Sequence, residues 1–323
     1  MVAVVQKSSS LFYLGPVGTH THEAAYQFIK RIRTNISAMV PESSIARVIE
    51  QTATMETNLS HTYGCVPLEN SIQGAVTLTW DHLFRILHYE NITQQNAISR
   101  TAFTDVFGWK GFGIRAVLTL PISHYLLSVG HAEPDAVTHV YSHPQALAQC
   151  KIWLDTHFPR AVQISVASTA EAARLVCEAS DKSRVAIGSE RAGEEYGLCV
   201  SSEPIQDVDH NFTRFGLLSN EPMQFEQTEI SRFMTSICLV GVQNQPGGLL
   251  KALEPFQLNG LNLTRIESRP VGNQLGEYLF YLDIETKEAE QNEELKKAWI
   301  AVQRVLEDEQ IEVVCLGTYP VLS

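Results

Sequence analysis

From Leu11 to Ser219 the chain alternates short apolar runs with capped, amphipathic stretches, and this alternation constrains the fold more than any other feature. Leu11-Phe12-Tyr13-Leu14 reads as a strand, and a glycine turn leads from it into a helix over 23–32. A helix over 44–55, a buried strand over 63–68 and a helix over 76–86 follow. Beyond the β-like, apolar run 114–127 come a strand over 137–141, a helix from 144 to 153–157 and a strand over 162–166. A helix over 170–178, a strand over 184–187 and a short helix ended by Gly197 complete the series. Such repetition predicts an α/β unit with mostly parallel sheets, because parallel neighbours need a crossover and a helix is a compact one.

Residues 220–233 break the periodicity and read as a linker. The pattern then changes. A strand over 234–242 precedes a helix begun by Pro246, with Leu249, Leu250, Leu253 and Phe256 on one side and Gly260 at its end. Strands over 261–268 and 277–284 are joined by a turn through Gly272-Asn273. Leu295, Ala298, Trp299, Val302, Val305 and Leu306 then form a helical face, and a last strand covers 311–317. The order βαββαβ predicts a small ferredoxin-like domain over 234–320.

Several function classes are excluded or made unfavourable at this level. A net charge of −12 leaves no basic patch to neutralise phosphates, so no nucleic-acid partner is expected. It does not forbid an anionic substrate, since a few placed cations override the average field locally. No run of eighteen apolar residues occurs, so no membrane association is expected. Cys65, Cys150, Cys177, Cys199, Cys238 and Cys315 are scattered without CxxC spacing, and the N-terminal stretch lacks the apolar core of a signal peptide. Reduced thiols and a cytoplasmic location are expected. The histidines show no HExxH or other ligand spacing, so no metal is expected.

Polar residues recur after strands at four places: 15–21, 69–71, 142–143 and 168–169. Each brings hydroxyls to the open amides of a helix start, which suits a small polyanion, although each also reads as a plain helix cap. Thr19 and Thr21 add hydroxyls at the first, and Ser142 is a good N-cap before Pro144. Gln145 and Gln149, four apart, share a helix face. His124 reads as a hydrogen-bonded core or hinge residue more readily than as a catalyst. In His210-Asn211-Phe212-Thr213-Arg214-Phe215, period-two alternation puts Asn211, Thr213 and Phe215 on one face and Phe212 and Arg214 on the other. One face thus offers an amide and a hydroxyl to a ligand; an edge strand facing water is the competing reading.

Together the motifs resemble the prephenate dehydratase family with a C-terminal ACT regulatory domain, over about residues 11–320. The matching pieces are Gly15-Pro16-Val17-Gly18-Thr19, Pro67-Leu68-Glu69-Asn70-Ser71 with Gly74, Ile122-Ser123-His124, Ser142 through Cys150, Ser168-Thr169-Ala170, Tyr196-Gly197-Leu198 and Asn211 through Phe215. The ACT pieces are Pro246-Gly247-Gly248-Leu249 and Asn262 through Pro270. The order and number of these matches make chance implausible.

The resemblance implies a fold like a type 2 periplasmic binding protein, two α/β lobes around a cleft, with one lobe over about 11–115 and 190–219 and the other over 116–189. It implies conversion of prephenate to phenylpyruvate for phenylalanine synthesis, with no cofactor. Thr213 matches the catalytic threonine and would donate to the leaving oxygen, with Asn211 beside it and Arg214 as organiser or carboxylate partner. Thr19, Thr21, Glu69, Asn70, Ser71, Ser142, Gln149, Ser168, Thr169 and Phe215 match cleft positions. Pro246, Gly247, Gly248, Leu249, Glu267, Ser268, Arg269 and Pro270 match a phenylalanine site between two ACT units, implying a homodimer or homotetramer under feedback inhibition. Arogenate dehydratase, a non-aromatising prephenate decarboxylase and an inactive ligand sensor are the competing readings. The chain departs from the pattern at three places. His20 stands where the family has an aromatic residue, with Thr21 in place of a serine; Gly248 replaces an alanine; and Ala192-Gly193 replaces a usual Ala-Ala.

Overall fold

The computed structural model describes residues 8–32, 34–54, 60–93, 111–221, 223–271, 276–286 and 293–323, so the expected turn at Gly272-Asn273 and the helix end at Met55 lie outside the described residues. The chain opens with β1 (Ser8–Leu14), α1 (His20–Arg31), β2 (Ala38–Glu42), α2 (Ile45–Thr54), β3 (Ser60–Asn70), β4 (Gly74–Ala75), α3 (Thr77–Thr93) and β5 (Gly113–Pro121). It then builds β6 (Tyr125–Ser128), β7 (His139–Ser142), α4 (Pro144–Gln149), α5 (Lys151–His157), β8 (Val162–Ser165), α6 (Thr169–Ala179), β9 (Arg184–Gly188), α7 (Glu190–Tyr196) and β10 (Cys199–Val200). It returns through β11 (Phe212–Ser219), and β12 (Ile230–Val240), α8 (Gly248–Leu258), β13 (Asn262–Pro270), β14 (Tyr278–Thr286), α9 (Glu293–Asp308) and β15 (Glu312–Leu322) follow.

Two sheets organise these elements. One has ten strands in the order β13-β14-β12-β15-β5-β11-β3-β1-β2, with β4 paired to β3; the other has five, β10-β6-β9-β7-β8. The first sheet therefore runs without a break from the α/β lobe into the βαββαβ unit, through a short parallel contact of Val321 with Val117 and of Leu322 with Leu118. That continuity has no signature in local sequence. β2 was also absent from the sequence reading: it contains Pro41 and pairs only with β1, the edge position at which a proline costs no ladder bond.

The strand pairing moves the expected lobe boundaries. β5 stays in the first sheet to Pro121, because β11 pairs with it along its length, so the outward crossing lies at 122 rather than 115. α7 and β10 belong to the second lobe, because β10 pairs with β6, so the return comes after Val200 and not at 190. The two crossings run side by side, joined by Ile122 N–H to the Asn211 carbonyl at 2.8 Å. Asn211 and Thr213 thus sit at the hinge, where the chain crosses between the two sheets.

Five apolar clusters hold the layers. Leu11, Tyr13, Phe28, Leu118 and Phe215 fill one face of the first sheet under α1. On its other face Val48, Leu68, Trp80 and Leu83 join Tyr281, Leu316 and Tyr319 of the βαββαβ unit in a single core. α3 is therefore shared by both units. The second lobe is packed on both faces, and α8 and α9 cover the remaining face of the βαββαβ sheet through Phe256, Trp299 and Leu306.

Two local expectations are corrected. The cap of α4 is His143, whose Nδ1 accepts from the Gln145 N–H at 3.3 Å. Ser142 is fully buried and its hydroxyl donates to the Ile187 carbonyl at 2.7 Å, tying β7 to β9. The helix expected from 144 to 157 is broken at Cys150, where the Asp207 carboxylate accepts the N–H groups of Ile152 and Trp153 at 2.9 and 3.0 Å. A carboxylate at a helix start satisfies two open donors, and here it anchors the 205–211 segment at the start of α5.

Candidate active site

The site grows from β3 and β11, which pair antiparallel with Asn70 opposite Thr213. The Asn70 amide orientation follows from its surroundings. Its Oδ1 accepts the N–H groups of Ile72 and Gln73, each at 3.1 Å, so its Nδ2 faces β11. There it donates to Thr213 Oγ1 at 2.9 Å and to Asn211 Oδ1 at 2.7 Å. Asn211 must then present its own Nδ2 to Gln149 Oε1, 3.2 Å away, and the same oxygen meets His124 Nε2 at 2.8 Å. A carbonyl oxygen only accepts, so His124 carries its proton on Nε2 and leaves Nδ1 a bare lone pair. Backbone amides at 72 and 73 thereby set the direction of every bond out to the imidazole.

Two consequences matter for chemistry. Thr213 already accepts from Asn70, so its hydroxyl proton is free to donate elsewhere. Three polar atoms of this cluster are buried without a protein partner: Gln149 Nε2, His124 Nδ1 and His20 Nε2. A buried polar atom without a partner costs about 1–3 kcal/mol, so three together are an unusual concentration of unmet hydrogen-bonding capacity. His20, the first residue of α1, lies edge-on to His124 with ring centroids 6.0 Å apart. Burial, and secondarily the charge His124 would carry, push His20 down to about 3, so it is neutral at physiological pH. Burial also lowers His124, against the opposing effect of its bond to Gln149. Gln206 Oε1 accepts the His124 backbone N–H at 2.9 Å and fixes the hinge there.

A second group of expected residues lies at helix starts. Thr19 caps α1, accepting the His22 N–H at 3.2 Å, and Thr21 is buried in its first turn. Ser168 caps α6, accepting the Glu171 N–H at 3.0 Å, with Thr169 as its first residue. The lobes meet here: Ser189, the cap of α7, donates to the Gly18 carbonyl at 2.8 Å. Gly18 has φ +87°, and a Cβ there would press on Ala192 at 3.1 Å, so glycine allows the approach.

Four expected residues are placed differently. Phe215 is buried in the core under α1 with Leu11 and Phe28, away from the amide cluster. Ser71 serves the strand pair, donating to the His210 carbonyl at 3.1 Å and accepting the Phe212 N–H at 2.9 Å. Arg214 lies on the face opposite Thr213, with Nη2 2.7 Å from Asp283 Oδ2 of β14 and 3.4 Å from Glu69 Oε2. Glu69 and Arg214 therefore face the βαββαβ unit, as the alternation along each strand dictates. Sequence reasoning set aside His124, left His20 without a role, and missed Gln206 and Asp283. His20 carried a signal, a polar ring at an otherwise aromatic position; Asp283 carried none.

Around α8, Gly247 has φ +84° and forms the N-cap. A Cβ on Gly248 would lie 2.1 Å from the Gln243 carbonyl oxygen, so the tight 243–248 turn needs glycine there. Gly193 has a comparable reason: a Cβ would meet Val200 Cγ2 at 2.3 Å. On β13, Glu267 and Arg269 turn inward, the former to Arg265 and the latter to Asp81 of α3 at 3.1 Å, while Ser268 and Pro270 are exposed.

Among the described residues no cluster fit to hold a metal ion occurs, and no helix is long and apolar enough to cross a membrane. A family model described as prephenate dehydratase matches residues 11–223, and one described as ACT domain matches residues 236–301. The chain is 34% identical over 317 residues to a bifunctional chorismate mutase/prephenate dehydratase of Aquifex aeolicus, covering 98% of this chain and 75% of that one. It is 32% identical over 318 residues to a prephenate dehydratase of Methanocaldococcus jannaschii, covering 98% and 100%. The crystal structure of a prephenate dehydratase from Arthrobacter aurescens in complex with L-Phe aligns over 96% of this chain and 89% of that one, at 26% identity and a TM-score of 0.70.

Proposed function

The chain belongs to the prephenate dehydratase family, and from that premise we propose how its cleft turns prephenate into phenylpyruvate, carbon dioxide and water. The observation that carries the reading is the Asn70 amide donating to Thr213 Oγ1, which leaves the threonine proton for the substrate. Prephenate bears two carboxylates and a ring hydroxyl. The bond to the ring carboxylate breaks, its electron pair completes the aromatic ring, the C–O bond opposite breaks, and the departing oxygen takes up a proton. Aromatisation drives the reaction, so the protein has to orient the substrate and stabilise the leaving oxygen. Thr213 donates a hydrogen bond to that oxygen as negative charge develops on it.

Neutral groups suit the rest. The ring carboxylate loses its charge on the way to carbon dioxide, so a cation paired with it would favour the substrate over the transition state. Amides, imidazoles and hydroxyls avoid that penalty. The open amides at the starts of α1 and α6, capped by Thr19 and Ser168, hold the carboxylates, and Gln149 Nε2 donates to the bound substrate. Asn211 and Asn70 keep Thr213 in place.

The enzyme is feedback-regulated by phenylalanine at its ACT domain. The start of α8 at Gly247-Gly248 receives the amino acid's carboxylate, and Ser268 and Pro270 border the site. The unpaired edge of β13, with Ile266 49% and Leu250 68% exposed nearby, takes up a second copy of the chain, giving a homodimer or a homotetramer built from it. All six cysteines are free thiols, which favours a reducing, cytoplasmic setting.

The test is turnover of prephenate by the purified chain, read as phenylpyruvate absorbance in alkali, with and without phenylalanine. Phenylpyruvate that falls on adding phenylalanine supports both assignments. Carbon dioxide without phenylpyruvate, or turnover of arogenate alone, would replace the reading with a relative on the same fold.

A further inference from the structure

The unit that binds the effector also supplies a side chain to the catalytic strand. Asp283 of β14 is fully buried. Its Oδ2 accepts Arg214 Nη2 at 2.7 Å, and its Oδ1 accepts the Ser236 hydroxyl at 2.6 Å. Arg265 of the edge strand β13 stands directly opposite Asp283 in the ladder. Its guanidinium lies over the Trp80 ring, 4.3 Å from the centroid, and bonds Glu267. Arg265 Nη1 is 3.8 Å from Asp283 Oδ1, beyond hydrogen-bond range, and is buried with no other partner. One carboxylate out of water therefore stands between two guanidinium groups and is bonded to one.

The bonded one matters for the site. Arg214 follows Thr213 and is paired with Glu69, which precedes Asn70, so the guanidinium bridges β3 and β11 beside their catalytic contact. The ladder shifts register immediately after Arg214, where such a bridge restrains it most. A shift of β13 by roughly 1 Å brings Arg265 Nη1 within bonding range of Oδ1, and charge-assisted bonds of this kind are strong and short.

We propose that Asp283 is a positioning residue for the Asn70–Thr213 pair, acting through Arg214, and that Arg265 of the effector strand competes for it. This rests on the assignment of Thr213 above. An effector that binds along β13 has only to favour the arrangement in which Asp283 bonds Arg265. Arg265 faces Oδ1 and Arg214 holds Oδ2, so the competition is a pull on one carboxylate. Closing on Oδ1 draws it toward β13, lengthens the Oδ2–Arg214 bond, weakens the β3–β11 bridge and leaves Thr213 less well placed. A plain structural ion pair would tie the two units together equally well, but it would not link β13 to kcat.

The experiment uses the full-length chain. Wild type serves as the control for the family reading: it must turn over prephenate and be inhibited by phenylalanine before any variant is interpreted. Arg265→Gln is expected to keep kcat within about two-fold and to bind phenylalanine with a dissociation constant within about three-fold by calorimetry, yet to lose inhibition at least about ten-fold. Asp283→Asn is expected to lower kcat about ten-fold or more with KM within about two-fold, the split expected of a residue that acts in the transition state. Arg265→Gln inhibited as wild type, or failing to bind phenylalanine, overturns the proposal, as does Asp283→Asn with an unchanged kcat. If Asp283→Asn does not fold, Arg265→Gln decides alone.

Discussion

Asn70 Nδ2 stands 2.9 Å from Thr213 Oγ1, and because Asn70 can only donate there, the threonine proton points away from Asn70 and is free for another acceptor. Asn70→Asp keeps the oxygen that accepts the N–H groups of Ile72 and Gln73 but replaces the donor with a second acceptor. We expect kcat to fall about 10²- to 10³-fold, the usual loss for a preorganised donor, with a small change in Tm. Thr213→Ala should lose as much, and the double variant should be no slower than Thr213→Ala, since the two act as one unit. Steady-state phenylpyruvate formation checks this; wild-type turnover in Asn70→Asp would remove the amide from the mechanism.

His20 gives the enzyme an acid-sensitive side. Burial holds it neutral to about 3, from an ordinary value of 6.5. Between those values the unfolded chain binds the extra proton, so stability is lost as pH falls below about 6.5 toward 3. His20→Phe should relieve up to about 2 kcal/mol of that loss at pH 5 and nothing at pH 7.5. Thermal melts at the two pH values measure it. Equal acid losses in the two proteins would mean that His20 titrates normally.

Gly248 lets the Gln243 carbonyl approach α8. Restoring the family's alanine puts a Cβ 2.1 Å from that oxygen, so the 243–248 turn must move and the helix start with it. Gly248→Ala should raise the phenylalanine concentration for half-inhibition about ten-fold, some 1.4 kcal/mol, while uninhibited turnover stays within about two-fold. Tighter inhibition in the variant would place the effector elsewhere.

Gly193→Ala should destabilise the second lobe by about 1–3 kcal/mol through overpacking, because its Cβ meets Val200 Cγ2 at 2.3 Å. Adding Val200→Ala should recover most of the loss. Denaturant melts of the three proteins decide it, and a fully stable single variant would show that β10 can shift freely.

Much of the site was legible because alternation and capping are local. Thr213 and Asn211 share a face by strand period, and Thr19 and Ser168 cap the helices that follow them. Ser142 misled for a physical reason: the hydroxyl one residue before a helix competed with His143, and the buried Ile187 carbonyl claimed it. Phe215 sat on the expected face, but β11 runs from hinge into core, and two residues past Thr213 that face is already covered by α1.

By itself the sequence determined an α/β unit, the βαββαβ unit and a face of β11 that carries an amide and a hydroxyl, because period, turn chemistry and helix starts act over a few residues; the two lobes and the role of Thr213 were implied only by the family resemblance. Tertiary structure alone decided the direction of the bonds from Asn70 to His124, the meeting of His20 with His124, and the burial of Asp283 between Arg214 and Arg265. Those partners are separated by tens to more than a hundred residues, and hydrogen-bond direction depends on which neighbour has already spent its donor or acceptor. No local pattern encodes that; it is settled only when β3, β11, the hinge and β14 have closed around the same site.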